Sequence, residues 1–285
     1  MLLSVIIVNY NVKRLLADCL RSVLASSIIA RCEVIVIDNN SSDGSVEELA
    51  PLFPAVRFVA NSENLGFAKA NNLGIMQARG KYILLLNPDT VVGSELFSTV
   101  CSFMDNNPDA GAVGVRMIDG TGAFLPESKR GFPTPWVSFC KMLGLGKLFP
   151  NSRLFGRYHL RYLNEYQTHK VDVLAGACMF LRRELLDKTG GLDEAFFMYG
   201  EDIDLSYRIR QAGYENYYLP ETIVHYKGQS PHGSDWRYVK RFYQAMDIFY
   251  CKHFAHNNLL YKALVKLGIV FAGAITFLQR TIVKK

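Results

Sequence analysis

Apolar residues follow two rhythms through the first 118 positions of this chain. Short, nearly continuous aliphatic runs at residues 3–8, 33–37, 56–60, 82–86 and 112–118 have the length and composition of buried strands. Helical spacing fills the gaps. Val12, Leu15, Leu16, Cys19, Leu20, Val23 and Leu24 lie three or four apart and lay one apolar stripe along a helix. Ser45-Val46-Glu47-Glu48 has capping-box spacing and predicts the start of a second helix. A third buries Leu96, Phe97, Val100, Cys101 and Met104 and stops at Asn106-Asn107-Pro108. Strands and helices that alternate in this way, with the strands apolar throughout, predict an α/β domain whose mostly parallel sheet is covered by helices on both faces.

Periodicity fades over residues 119–170, which are rich in Gly, Pro and aromatics and predict irregular connecting structure. A strand is expected at 171–181, a short helix at 183–189, a turn at Gly190-Gly191, and a helix from about 201 to 212 ended by Gly213.

The polar punctuation is informative. In parallel α/β sheets ligands bind at the carboxyl ends of the strands, where loops gather polar groups over a rigid platform. Here the first strand runs into Asn9-Tyr10-Asn11, the second into Asp38-Asn39-Asn40-Ser41-Ser42-Asp43-Gly44, and the fourth into Asn87-Pro88-Asp89. Pro88 ends the ladder and biases Asn87 away from helical geometry, so Asp89 emerges at that edge. An aspartate there serves a turn or ligates a divalent cation whose remaining ligands are phosphate oxygens. Asp38 is likewise either turn chemistry or an acceptor for the N–H of a uracil or thymine ring. The loop over residues 61–67 leads into a helix whose first amides are placed to face phosphate.

Glu201, Asp202 and Asp204 crowd the start of one helix. They complement its dipole, and the apolar FFMYG before them is suited to hold one carboxylate in a partly dry site, where a raised pKa fits a general base. His225, after the apolar Thr222-Ile223-Val224, is a structural histidine or one that returns to the metal. No Ser-His-Asp array, paired CxxC, GxGxxG or GxxxxGK[ST] is visible, which argues against hydrolase, zinc, dehydrogenase and P-loop readings.

Composition adds a location. The net charge of +6 is uneven: residues 227–285 hold ten Lys/Arg against two acids, leaving the remainder at −2. A basic end on a near-neutral body suits an anionic membrane surface rather than nucleic acid. Residues 267–278 are uncharged, too few to span a bilayer, with basic residues on both sides, as in a helix lying in the lipid interface; the other reading is a helix packed on the body or a second subunit. Six scattered cysteines in a chain of 285 residues read as reduced and mostly buried, hence a cytoplasmic location, peripheral at the inner face of the membrane.

Four blocks in order, SVIIVNYN, VIVIDNNSSDGS, NLGFAKANNLGI with ILLLNPDT, and GACMFLRRELLDKTGGLDEAFFMYGEDIDLSYRIRQAGY, resemble the inverting family 2 glycosyltransferases of GT-A fold. The resemblance implies a catalytic domain over 1–230, with a nucleotide-binding half at about 1–118 and an acceptor half at about 119–230, followed by a basic helical tail at 231–285. It implies that Asp38 reads the donor base beside Asn9, Tyr10 and Asn40, that Asn64, Gly66 and Asn87 line the nucleotide, and that Asp89 and His225 hold Mg²⁺ or Mn²⁺. Asp202 matches the base, with Gly176, Asp193 and Glu201 near the sugar or acceptor.

One departure stands out, because the usual DxD is here Asn87-Pro88-Asp89, lacking its first acid. NPDT with GGLDE and GEDIDL is most similar to the rhamnosyltransferase branch, implying transfer of L-rhamnose from dTDP-rhamnose to a glycan or lipid-linked acceptor in cell-surface polysaccharide synthesis. The QxxRW block of processive synthases is absent, favouring one residue added per encounter. Alternatives are a UDP-sugar-dependent transferase, a nucleotide-sugar-binding protein that has lost catalysis, and a metal-dependent nucleotidyltransferase.

Overall fold

The computed structural model describes residues 1–226, 236–254 and 268. In chain order the elements are β1 (Leu3–Asn9), α1 (Lys13–Leu24), β2 (Cys32–Asp38), α2 (Ser45–Leu52), β3 (Val56–Ala60), α3 (Phe67–Gln77), β4 (Tyr82–Leu86), β5 (Thr90–Val91), α4 (Leu96–Asn106) and β6 (Ala110–Ile118). Then come β7 (Lys129–Arg130), α5 (Pro135–Met142), α6 (Leu145–Leu148), β8 (His169–Val171), β9 (Val173–Leu174), β10 (Cys178–Arg182), α7 (Arg183–Thr189), α8 (Glu201–Gln211), β11 (Glu215–His225) and α9 (Trp236–His253).

The main sheet has the order β3-β2-β1-β4-β10-β6-β11-β5, with β8 also paired to β11. Strands β3, β2, β1 and β4 are mutually parallel, and so are β6 and β11. Between these two parallel groups β10 runs antiparallel to both neighbours. Strand alternation sends Val5, Ile7, Val36, Leu84 and Phe180 into one core with Leu16, Leu20, Phe97 and Val100. Ile6, Val8, Ile35, Leu85 and Leu181 fill the other, with Ala68, Leu185, Leu205 and Ile209. Both faces are thus covered, which is why β1, β4 and β10 are buried along their whole length and read as unbroken apolar runs.

Three local expectations are corrected. The strand expected at 171–181 is three pieces, because β8 pairs with β11, β9 with β7, and β10 with β4 and β6; the break at 175–177 falls at Gly176. Ser45 is the first residue of α2, not its cap. Gly44, at φ +75°, holds the capping position, the Ser45 amide donates to Asp43 Oδ1, and Glu48 pairs with Lys13. Residues 119–170, expected to be irregular, include two short helices, α5 and α6.

Residues 236–253 form a helix seated on the body: Phe196, Ala245 and Phe249 make a small apolar cluster, flanked by Tyr199, Ile203 and Tyr207. The interfacial helix expected around 267–278 lies outside the described residues. Among the described residues no helix is long and apolar enough to cross a membrane. All six cysteines are free, and four are buried.

Candidate active site

The carboxyl edge of the parallel strands carries a polar network. Asn9 Nδ2 donates to Asp38 Oδ1 at 2.7 Å across the β1–β2 register, and the Ser41 amide and hydroxyl donate to Asp38 Oδ2 and Oδ1 at 2.8 and 2.7 Å. The Asp38 carboxylate, 2% exposed, is therefore fixed by three donors, while Asn9 Oδ1 is buried with no hydrogen-bond partner. Tyr10 is half-buried at the end of β1, and Asn40 is exposed at φ +63° in the turn.

The loop before α3 is shaped by Asn64, whose Oδ1 accepts the Gly66 amide at 2.9 Å, and Asn39 Nδ2 donates to the Gly66 carbonyl at 3.1 Å. Gly66 sits at φ +81°, and a Cβ there would lie 2.6 Å from the Phe197 carbonyl oxygen. That same carbonyl accepts the Phe67 amide at 2.9 Å. The first amide of α3, expected to face phosphate, is thus spent on the loop that leads into α8.

Asp89 and His225 meet. Strand β5 pairs with the end of β11, setting His225 opposite Thr90, and the Tyr226 amide donates to the Asp89 carbonyl. His225 Nε2 stands 3.3 Å from Asp89 Oδ1 with both residues buried, yet neither Asp89 Oδ1 nor His225 Nδ1 has a hydrogen-bond partner. A hard carboxylate oxygen and an imidazole left unsatisfied side by side fit a divalent cation that takes its other ligands from phosphate. Among the described residues no group of three or more His, Cys, Asp or Glu forms a closed metal cage.

The acid-rich start of α8 lies beside this edge. The Asn87 amide donates to the Ala177 carbonyl at 2.9 Å, tying the Asn87-Pro88-Asp89 turn to the β9–β10 break. One residue back, the Gly176 amide points at Asp202 Oδ2 from 3.3 Å, and a Cβ on Gly176 would lie 3.4 Å from the Asp202 Cβ and 3.9 Å from Glu201 Oε1. Tyr199 and Gly200, both at positive φ, turn the chain sharply into the helix, a costly backbone for tyrosine that the packing of Phe196 and Ala245 against Gly200 holds in place.

The dry carboxylate is Glu201, not Asp202. Burial, and then the neighbouring Asp202 charge, push Glu201 up to about 8, and its Oε2 has no hydrogen-bond partner. Asp202 is instead paired, with Arg130 Nη2 2.5 Å from its Oδ2 and the Ile203 amide 2.8 Å from its Oδ1. Burial opposes the Arg130 charge, but Asp202 outweighs it and holds the guanidinium firmly protonated. Arg130 lies on β7 in the weakly patterned stretch that sequence reasoning left unassigned; a basic pair between Pro126 and Pro133 was the available signal. Asp204 is structural: it accepts from Arg208 at 2.7 Å and lies 2.6 Å from His253 Nε2 and 2.8 Å from Lys252 Nζ. Asp193, expected near the sugar, pairs with Lys252 at 2.5 Å and accepts the Ala195 amide, and so helps seat α9.

The family model described as Glycosyl transferase family 2 matches residues 4–190. The N-acetylglucosaminyl-diphospho-decaprenol L-rhamnosyltransferase of Mycobacterium tuberculosis is 29% identical over 209 residues, covering 69% of this chain and 67% of the relative. Among solved structures, S. aureus TarS (1–349) superposes with a TM-score of 0.60 at 17% identity, covering 95% of this chain and 71% of that one. Mannosyltransferase PcManGT from Pyrobaculum calidifontis, in complex with GDP-Man and Mn²⁺, superposes with a TM-score of 0.59 at 17% identity over 98% of this chain and 75% of that one.

Proposed function

The chain belongs to glycosyltransferase family 2 and is a glycosyltransferase; from that premise we propose an inverting, non-processive enzyme that moves L-rhamnose from dTDP-rhamnose to a hydroxyl of a lipid-linked glycan. The observation that carries the reading is the junction at Asn87–Ala177, which joins the Asp89–His225 pair to the Gly176–Asp202 contact on one sheet edge. Similarity to an L-rhamnosyltransferase whose name specifies a diphospho-lipid acceptor favours L-rhamnose and a lipid-linked acceptor.

Each residue has a task in this reading. Asp38, fixed by Asn9 and Ser41, accepts the ring N–H of the base, with Tyr10 and Asn40 beside it and Asn64, Gly66 and Asn87 along the rest of the nucleotide. Asp89 and His225 would hold Mg²⁺ or Mn²⁺, which would supply charge neutralisation to a departing diphosphate. Asp202 takes the proton of the acceptor hydroxyl as its oxygen attacks the anomeric carbon from the face opposite the breaking bond to the nucleoside diphosphate. Arg130 and the Gly176 amide both contact Asp202 Oδ2 and hold that carboxylate in one orientation. Glu201 keeps its proton near neutrality, so no second carboxylate charge repels Asp202. The basic tail beyond residue 254 adds contact with anionic headgroups at the cytoplasmic face.

Thermal-shift screening against dTDP- and UDP-sugars with and without Mn²⁺, followed by product analysis, tests this. Stabilisation by dTDP-rhamnose that grows with Mn²⁺, and release of dTDP on turnover, are expected. A response to UDP-sugars alone would replace the donor. Release of pyrophosphate, or no response to any nucleotide sugar, would remove the transferase mechanism.

A further inference from the structure

Residues 131–163 contain Lys141, Lys147, Arg153, Arg157 and Arg161 and no Asp or Glu. The same stretch concentrates exposed apolar side chains. Seven of the thirteen exposed large hydrophobics among the described residues fall between Trp136 and Leu154, a density that scattered surface exposure does not produce. Trp136 is 47% exposed, Phe139 45%, Leu143 53% and Leu148 70%. The exposed rings are joined through half-buried Phe155: Trp136 stacks on Phe139 at 5.9 Å and approaches Phe155 at 6.4 Å, and Phe149 reaches Phe155 at 5.5 Å. Helices α5 and α6 thus present aromatic and aliphatic side chains among cations.

This surface is wired to the reacting carboxylate. Only residues 131–134 separate Arg130, the partner of Asp202, from the start of α5. The Gly131 amide donates to the Tyr158 carbonyl, and Lys141 Nζ lies 3.5 Å above the Tyr158 ring. Burial raises the Tyr158 hydroxyl, but Arg130 and Lys141 outweigh it and lower its pKa, as expected of a ring held between two cations.

We propose that the α5–α6 surface is the face on which this protein docks to an anionic phospholipid bilayer, with Trp136, Phe139, Leu143 and Leu148 entering the interface and Lys147, Arg153 and Arg157 meeting headgroup phosphates. Charge selects that occupant. A second copy of the chain would bring one acid-free, cationic face against another, and the segment beyond residue 254 is itself basic. Nucleic acid would meet the cations but leave three leucines, Leu143, Leu148 and Leu154, against polar groups, whereas hydrocarbon accepts them. The proposal rests on and deepens the lipid-linked acceptor reading, since it brings the segment that carries Arg130, the partner of Asp202, to the bilayer.

The full chain has two tryptophans, so Trp236→Phe leaves Trp136 as the sole indole reporter. Added to vesicles of phosphatidylcholine brominated on its acyl chains and mixed with phosphatidylglycerol, that protein should lose Trp136 emission, and vesicles lacking phosphatidylglycerol should quench it far less. Phe139→Ser with Leu143→Ser should weaken vesicle partitioning by about tenfold or more. Lys147→Glu with Arg153→Glu, at exposed positions that tolerate exchange, should do the same should the first pair fold poorly. Flotation with unquenched Trp136 would place lipid contact elsewhere and overturn the proposal. So would equal partitioning of the variants, or a sedimentation mass that doubles and falls back when the patch is changed. Nucleotide-sugar stabilisation, measured on the same variants without lipid, should be unchanged; its absence in the parent protein would sink the transferase reading separately.

Discussion

The two ends of this polar edge handle buried polarity in opposite ways. At the ends of β1 and β2 the Asp38 carboxylate is met by Asn9 and Ser41, all from β1, β2 and the turn after it, within one local network. At the start of α8 Glu201 is left dry, and Asp202 is balanced by an arginine from a strand 72 residues earlier. A self-satisfied network makes a rigid platform for a ligand that varies little; charges held by remote partners make a site whose reactivity depends on distant packing.

That contrast can be broken or sharpened by substitution. Asp202→Asn should lower kcat about 10³- to 10⁴-fold in nucleoside diphosphate release assays, with donor affinity by calorimetry kept within about twofold. Asp89→Ala or His225→Ala should cost about 10²- to 10³-fold and abolish the Mn²⁺-dependent part of nucleotide stabilisation, because each removes half of the unsatisfied pair. Arg130→Met should lower kcat by about 10- to 100-fold and move the pH profile, while Arg130→Lys recovers part of it; equal values for both variants would deny the guanidinium a positioning role. Asp38→Asn should weaken nucleotide binding by about tenfold and leave kcat at saturating donor near the parent value.

The smallest effect is a pH slope. Glu201 is pushed up to about 8 in the folded chain from an ordinary value of 4.5. Between these values the unfolded chain has released a proton that the folded chain keeps, so stability falls as pH rises through that window and is flat below it. Glu201→Gln should flatten the decline, adding on the order of 1–3 kcal/mol at pH 8 and little at pH 4, as read by denaturant titration at the two pH values.

How much of this was legible follows from the same contrast. The edge around Asp38 is written in contiguous runs, so β1, β2, β3 and β4, their terminal polar residues and the helical stripe of α1 could be read directly, with ends shifted by a residue or so. The return of His225 to Asp89 could be expected from its order after the acidic helix. Arg130 could not be anticipated, because β7 is two residues long in a segment without periodicity, and its partner is chosen by the fold. The identity of the dry acid stays open in the sequence for a related reason. Adjacent helical residues point about 100° apart, and which of Glu201 and Asp202 faces the core depends on the Tyr199-Gly200 turn. Asn72 shows a third kind of hidden order: it clamps Leu192 through both amide atoms, joining the NLGFAKANNLGI and GGLDE blocks in space.

Asp204 is fully buried, and burial would raise its pKa, but Lys252, His253 and Arg208 more than compensate and keep it ionised. It stands two residues after Asp202, the proposed base, and is gripped by Lys252 and His253 from far downstream. Trimming the polypeptide from its carboxyl terminus therefore has a hard stop: once His253 and Lys252 are gone, a buried anion held by Arg208 alone is left at the root of the helix that presents Asp202, and the shortened enzyme should lose activity before it loses its sheet.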